Sequence, residues 1–192
     1  TVKFMAANKN KPFLAYLSFY SVHTPLISRT DLRDKYLARK KERGLEAKWG
    51  KEHNRQVRLV QEHAVYGGMV EAMDLAVGKV LDGLKEHGLE DNTVVFFMSD
   101  NGGLSTSEGH PTSNLPLRGG KGWMYEGGIR EPMMVRWPGV TKPGSVNDTP
   151  VTSTDFFPTI MEMAGLKPRL PLPIDGVSFT TALRGKPQDR GA

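Results

Sequence analysis

Asp100-Asn101-Gly102-Gly103 places a carboxylate and an amide side by side, followed by two glycines. A hard cation such as Ca²⁺ or Mg²⁺ takes oxygen ligands, and adjacent Asp and Asn can both supply them where the backbone turns sharply. Glycine permits that turn. The same four residues also suit a plain tight turn, and two ligands leave most of a calcium shell unfilled. His23, in Ser21-Val-His-Thr-Pro25, has the chemistry of an acid, a base or a ligand, or of a hydrogen-bonded loop histidine. Lys121, in Arg118-Gly-Gly-Lys-Gly-Trp123, lies where an ammonium on a pliable loop can reach an anion. Its surroundings lack the G-x-x-x-x-G-K-[ST] spacing of a phosphate-binding loop. His110, in Glu108-Gly-His-Pro111, and Arg118 are weaker candidates for substrate contact. His53, His63 and His87 fall in stretches expected to be helical and read as surface or packing residues. There is no cysteine, which excludes disulfides and thiolate metal sites.

Three apolar runs are expected to position these groups. Phe13 to Tyr20 is a continuous apolar run typical of a strand buried on both faces, and Pro25 stops it just beyond His23. Residues 29 to 55 are charged and predict surface helix broken near Gly44. From Gln56 to His87 the apolar residues Val57, Val60, Ala64, Met69, Met73, Val77, Leu81 and Leu84 recur mainly at steps of three and four, which predicts a long helix. Gly67-Gly68 interrupts that helix as a kink or a point of close packing, and Gly88 ends it. Asn92 to Met98 is a second buried strand, with Asp100-Asn101 at its exit. Strand, helix, strand predicts a βαβ unit with parallel strands, so His23 and Asp100-Asn101 leave the sheet at one edge, where open α/β sheets bind ligands. Gly102 to Gly128 is expected as loop, and Pro132 to Trp137 as a third strand. Ser153 or Thr154 caps a short helix over Asp155 to Ala164, closed by Gly165. Pro168 to Pro173 reads as extended linker and Asp175-Gly176 as a turn.

The chain has 192 residues, 38% of them hydrophobic and 24% charged, which is ordinary globular composition. No apolar run approaches the ~20 residues needed to cross a bilayer. The net charge of +5 comes from one segment: Arg29 to Arg58 holds 11 Lys/Arg against 5 Asp/Glu, while the remainder holds 15 against 16. The intermixed acids fit a solvated helical surface or one that attracts an anionic substrate, and no nucleic-acid motif accompanies the charge. Thr1-Val-Lys-Phe-Met does not read as an export leader, and the natural protein is expected to begin upstream.

Taken in order, the blocks Tyr16-Leu-Ser-Phe-Tyr-Ser-Val-His-Thr-Pro25, Tyr66-Gly-Gly-Met-Val-Glu-Ala-Met-Asp74, Val94-Val-Phe-Phe-Met-Ser-Asp-Asn-Gly-Gly103, Leu117-Arg-Gly-Gly-Lys-Gly-Trp-Met-Tyr-Glu-Gly-Gly-Ile-Arg-Glu-Pro132 and Thr154-Asp-Phe-Phe-Pro-Thr159 resemble the type I, arylsulfatase-like sulfatases. The likeness runs from about residue 12 to 185. It implies an α/β fold of the alkaline-phosphatase and sulfatase kind, with a sheet flanked by helices and incomplete at the N-terminus. Residues 12–165 would form the core and its active-site loops, and 166–192 an extended C-terminal segment. The resemblance further implies one Ca²⁺ beside a formylglycine made from Cys or Ser, whose hydrated aldehyde attacks sulfur. By position Asp100 and Asn101 match two calcium ligands, Lys121 the lysine on the sulfate group, and His23 the histidine near the leaving oxygen. Glu126 and Arg130 belong to the matching block as loop-bracing residues. Members acting on glycans vary at loop positions such as His110 and Asn114.

The C/S-x-P-S-R modification motif and the paired aspartates that complete the calcium site do not occur in the chain. The expectation is therefore the C-terminal portion of a sulfuric ester hydrolase, inactive by itself and a weak calcium binder. Its substrate would be a sulfated small molecule or glycan, in a periplasmic, secreted or lysosomal setting. The alternatives are a phosphatase or phosphodiesterase of the same superfamily, and an inactive module that holds sulfated glycans.

Overall fold

The computed structural model of the chain describes residues 1–167 and 173–189. It divides into two units, Thr1–Asp91 with Phe97–Met133, and Asn92–Phe96 with Met134–Ala192. Most of the expected linker Pro168–Pro173 lies outside the described residues.

The first unit is built on three helices: α1 (Val2–Asn8), α2 (Thr30–Glu42) and α3 (Ala64–Glu86). Between α2 and α3 lies a hairpin of β1 (Trp49–Glu52) and β2 (Arg55–Arg58). The helix α3 begins later than its apolar periodicity predicts. His63 is its N-cap, with Nδ1 accepting from the Tyr66 amide at 3.2 Å. Upstream, residues 55–58 pair antiparallel with 49–52, from Trp49 opposite Arg58 to Glu52 opposite Arg55. These strands are charged and carry no apolar alternation, so a helical reading of the segment had nothing to oppose it. A buried cation holds the hairpin. Arg58, only 5% exposed, stacks over Trp49 at 4.4 Å, pairs with Glu62 and donates to the His110 carbonyl at 2.8 Å.

Gly67-Gly68 proves to be a close-packing point. A Cβ on Gly68 would collide with Ser28 Oγ and reach the Arg33 amide at 3.1 Å, while Tyr36 of α2 lies over Gly67. Met5 and Leu84, both 2% exposed, belong to the apolar core with Leu32, Val57 and Met69. The C-terminus of α3 matches expectation, with Gly88 at φ 67°.

Phe13–Tyr20 forms no strand. The segment is irregular, with Leu14 70%, Tyr16 92% and Tyr20 75% exposed. A buried strand needs ladder partners and two covered faces, and the described residues give it neither. The expected parallel βαβ pairing is therefore not formed. Instead β3 (Val95–Met98) shares a two-stranded sheet with β4 (Met133–Arg136), and the short α4 (Glu126–Ile129) lies in the glycine-rich loop between them in sequence.

In the second unit α5 (Phe156–Met163) and α6 (Thr180–Leu183) are the helices. Phe96, Phe156 and Phe179 meet edge to face at 5.5–6.3 Å. Asp155 is fully buried and accepts from the Thr152 amide at 2.7 Å and the Val177 amide at 2.9 Å. Thr152, rather than Ser153 or Thr154, opens the capping box before α5, and Gly165 closes the helix at φ 67°. Among the described residues no helix is long and apolar enough to cross a membrane.

Candidate active site

His23 follows a turn in which its amide donates to the Tyr20 carbonyl at 3.0 Å. Its Nδ1 lies 2.8 Å from the Thr24 carbonyl oxygen. A carbonyl only accepts, so Nδ1 carries the proton and Nε2 presents a lone pair. That Nε2 lies 2.7 Å from Lys121 Nζ, which donates to it. The two side chains expected to do chemistry are therefore in direct contact. The neighbouring Thr24 hydroxyl donates to Glu108 Oε2 at 3.0 Å, tying the His23 turn to the loop before His110.

Lys121 is positioned through its backbone. Its amide donates at 3.1 Å to the carbonyl of Gly103, the second glycine after Asp100-Asn101. Asn114 Nδ2 reaches the same carbonyl at 2.8 Å and lies within 3.1–3.2 Å of Ser105 Oγ, the Gly119 carbonyl and the Gly127 carbonyl. The Gly102 amide donates to the Gly128 carbonyl at 3.1 Å, and a Cβ on Gly102 would run into the Gly127 carbonyl oxygen. From the hairpin, Glu52 Oε2 accepts from the Gly119 amide at 2.5 Å. The loops bearing Asp100-Asn101, Lys121 and α4 are thus joined main chain to main chain, with Asn114 at the junction.

Asp100 and Asn101 supply a carboxylate and an amide oxygen at the exit of β3, and Ser99 Oγ braces the turn by donating to the Asn101 carbonyl at 2.8 Å. Glu131 stands nearby. Burial, and then the negative charge of Asp100, hold its carboxyl above the ordinary range, and its Oε1 is buried with no partner. An orphaned carboxylate oxygen beside a second acid is a place a cation would relieve. Among the described residues no group of three or more His, Cys, Asp and Glu is arranged to hold a metal.

The two expected substrate contacts are held by aromatic rings. The His110 imidazole packs edge-on to Trp49 at 5.9 Å, and burial followed by the charge of Arg58 holds it below its ordinary pKa. The Arg118 guanidinium lies 3.9 Å from the centre of the Tyr125 ring. Arg130 and Glu126 make a loose exposed pair at 3.4 Å. Sequence reasoning missed the structural use of Asn114, whose amide nitrogen faces four acceptors within the protein. It also missed Glu52 and Glu131. Glu131 lies inside the Ile-Arg-Glu-Pro132 block, but neither acid has a local pattern that distinguishes it.

The sulfatase family model matches residues 1–166. A sulfatase of Formosa agariphila is 40% identical over 196 residues, covering 94% of this chain and 31% of that protein. Human steryl-sulfatase is 36% identical over 195 residues, covering 97% of this chain and 28% of its own length. The chain thus spans about a third of the length of these curated relatives. Among solved structures, i-CgsB in complex with k-i-k-neocarrahexaose aligns with a TM-score of 0.74 at 34% identity, over 96% of this chain and 37% of that one.

Proposed function

Because this chain belongs to the sulfatase family and has its alkaline-phosphatase-like mixed α/β fold, we propose that the protein hydrolyses a sulfate monoester carried on a glycan. The observation that carries this reading is the 2.7 Å contact of Lys121 Nζ with His23 Nε2, with the Lys121 amide bonded to the Gly103 carbonyl just beyond Asp100-Asn101. A sulfate monoester brings three terminal oxygens that share one negative charge. Lys121 turns its protons from His23 to one of those oxygens and stabilises the charge held there as the S–O bond breaks. His23, with Nδ1–H tied to the Thr24 carbonyl, has Nε2 as the atom that takes up a proton and delivers it to the departing alkoxide. Asp100 and Asn101 would hold calcium, which together with a formylglycine would supply charge neutralisation and the nucleophile. The glycan is supported by the carrageenan-type hexasaccharide named for i-CgsB, and an exported location belongs to the same reading.

A phosphonate monoester hydrolase of Silicibacter pomeroyi, 30% identical over 67% of this chain with a TM-score of 0.53, supports a second reading as a phosphoryl-transferring relative. The test is hydrolysis of 4-nitrophenyl sulfate against 4-nitrophenyl phosphate by the full-length protein, before and after chelation with EDTA. Preference for the sulfate, lost on chelation and restored by Ca²⁺, is expected. Preference for the phosphate would overturn the sulfatase reading.

A further inference from the structure

We propose that the cleft between the C-terminal half of α2 and the start of α3 is a second anion site, which takes a sulfate group of the glycan other than the one being hydrolysed. The cleft holds about 440 Å³, within the ~300–1,000 Å³ of ligand pockets. The choice of glycan rests on the sulfatase reading; the anion site itself does not.

Arg39, Lys40 and Arg43 line one side of the cleft. Arg39 lies in the last turn of α2 and Arg43 is its C-cap, four residues on, and both line the cleft. The lining carries a single acid, Glu62, which is already paired with Arg58 and with Lys40 at 2.6 Å. Arg43 has no side-chain partner among the described residues, and Arg39, an exposed residue, rests over the Tyr36 ring at 5.5 Å. Burial first, and then the charges of Arg58 and Lys40, hold His63, another lining residue, below its ordinary pKa. Guanidinium forks match the planar pairs of oxygens that sulfate presents.

The cleft also shares walls with a neighbouring cavity. Tyr66 and Thr112 line both it and a cavity of about 280 Å³ whose other walls include Gly103, Asn114 and Glu131. The basic surplus of residues 29–58 thereby acquires a use, with three of its cations on one lining.

The experiment compares the full-length protein with its R39E/R43E variant, both positions being exposed. One readout is dextran sulfate binding across a salt series, and the other is turnover of 4-nitrophenyl sulfate. The variant should bind dextran sulfate roughly tenfold or more weakly, with a shallower salt dependence, and turn over the small ester unchanged. Unchanged dextran sulfate binding would overturn the proposal. Tighter binding of single-stranded DNA than of dextran sulfate, also abolished by R39E/R43E, would overturn the glycan in favour of a nucleic acid. Should wild-type protein show no sulfate ester hydrolysis, the activity reading fails. Loss of dextran sulfate binding in the variant would still uphold the cleft as a site for sulfated chains.

Discussion

Lys121 and His23 are 98 residues apart in sequence, and the ammonium of one donates to the imidazole Nε2 of the other at 2.7 Å. Each occupies the other's free valence until an anion separates them, so the pair is set to receive a charged oxygen and then to act separately.

That division of labour predicts different responses to leaving group. Lys121→Ala removes charge stabilisation and should lower kcat/KM by about 10²- to 10³-fold for every sulfate ester. His23→Ala removes the proton donor and should reduce turnover of a sugar sulfate far more than that of 4-nitrophenyl sulfate, whose phenolate departs without protonation. Equal losses on both esters would refute His23 as the acid.

Asn114→Ala should open the junction of the three loops. Its amide nitrogen lies within hydrogen-bond distance of Gly103, Ser105, Gly119 and Gly127, so the donor these loops share is lost, at about 1–3 kcal/mol. Gly102→Ala should cost roughly 3 kcal/mol or more, because the added methyl meets backbone that cannot swing aside. Urea unfolding of the full-length protein measures both. A wild-type midpoint for Gly102→Ala would contradict the close approach.

His63 gives a pH dependence of defined sign. Its pKa is lowered in the fold from the ordinary 6.5, so below that value the unfolded chain binds more protons than the folded one. Its favourable contribution is full above about pH 6.5 and declines as the pH falls through the window between 6.5 and the lower folded value. His63→Asn keeps a capping acceptor for α3 and removes the titration. Thermal melts from pH 7.5 to 5 should therefore fall less steeply for the variant than for wild type; parallel curves would exclude the effect.

Helices α3 and α5 were legible in the sequence because each carries its own evidence: apolar steps of three and four, a terminal glycine and, for α5, a nearby capping residue. Phe13–Tyr20 was misread because an apolar run reports a wish for burial, while a strand exists only where neighbours complete its hydrogen bonds. The hairpin at 49–58 was hidden for the opposite reason. Its order comes from Arg58 stacking on Trp49 and bonding to the His110 carbonyl, partners that no local window contains. In the site, residue type was enough to nominate His23, Lys121, Asp100 and Asn101. The role of Asn114 was invisible, since its partners are main-chain oxygens and a neighbouring serine hydroxyl, and backbone groups leave no mark in composition.

Those backbone partners bear on how such a site can diversify. Gly102, Gly103, Gly119, Gly127 and Gly128 meet largely through peptide groups, so the frame around Lys121 depends little on which side chains face outward. Residues on the rim, such as His110 and Arg118, can be exchanged without retuning the frame. One frame can therefore serve a range of esters across a lineage, with selection acting on the rim while the glycine positions stay closed to change.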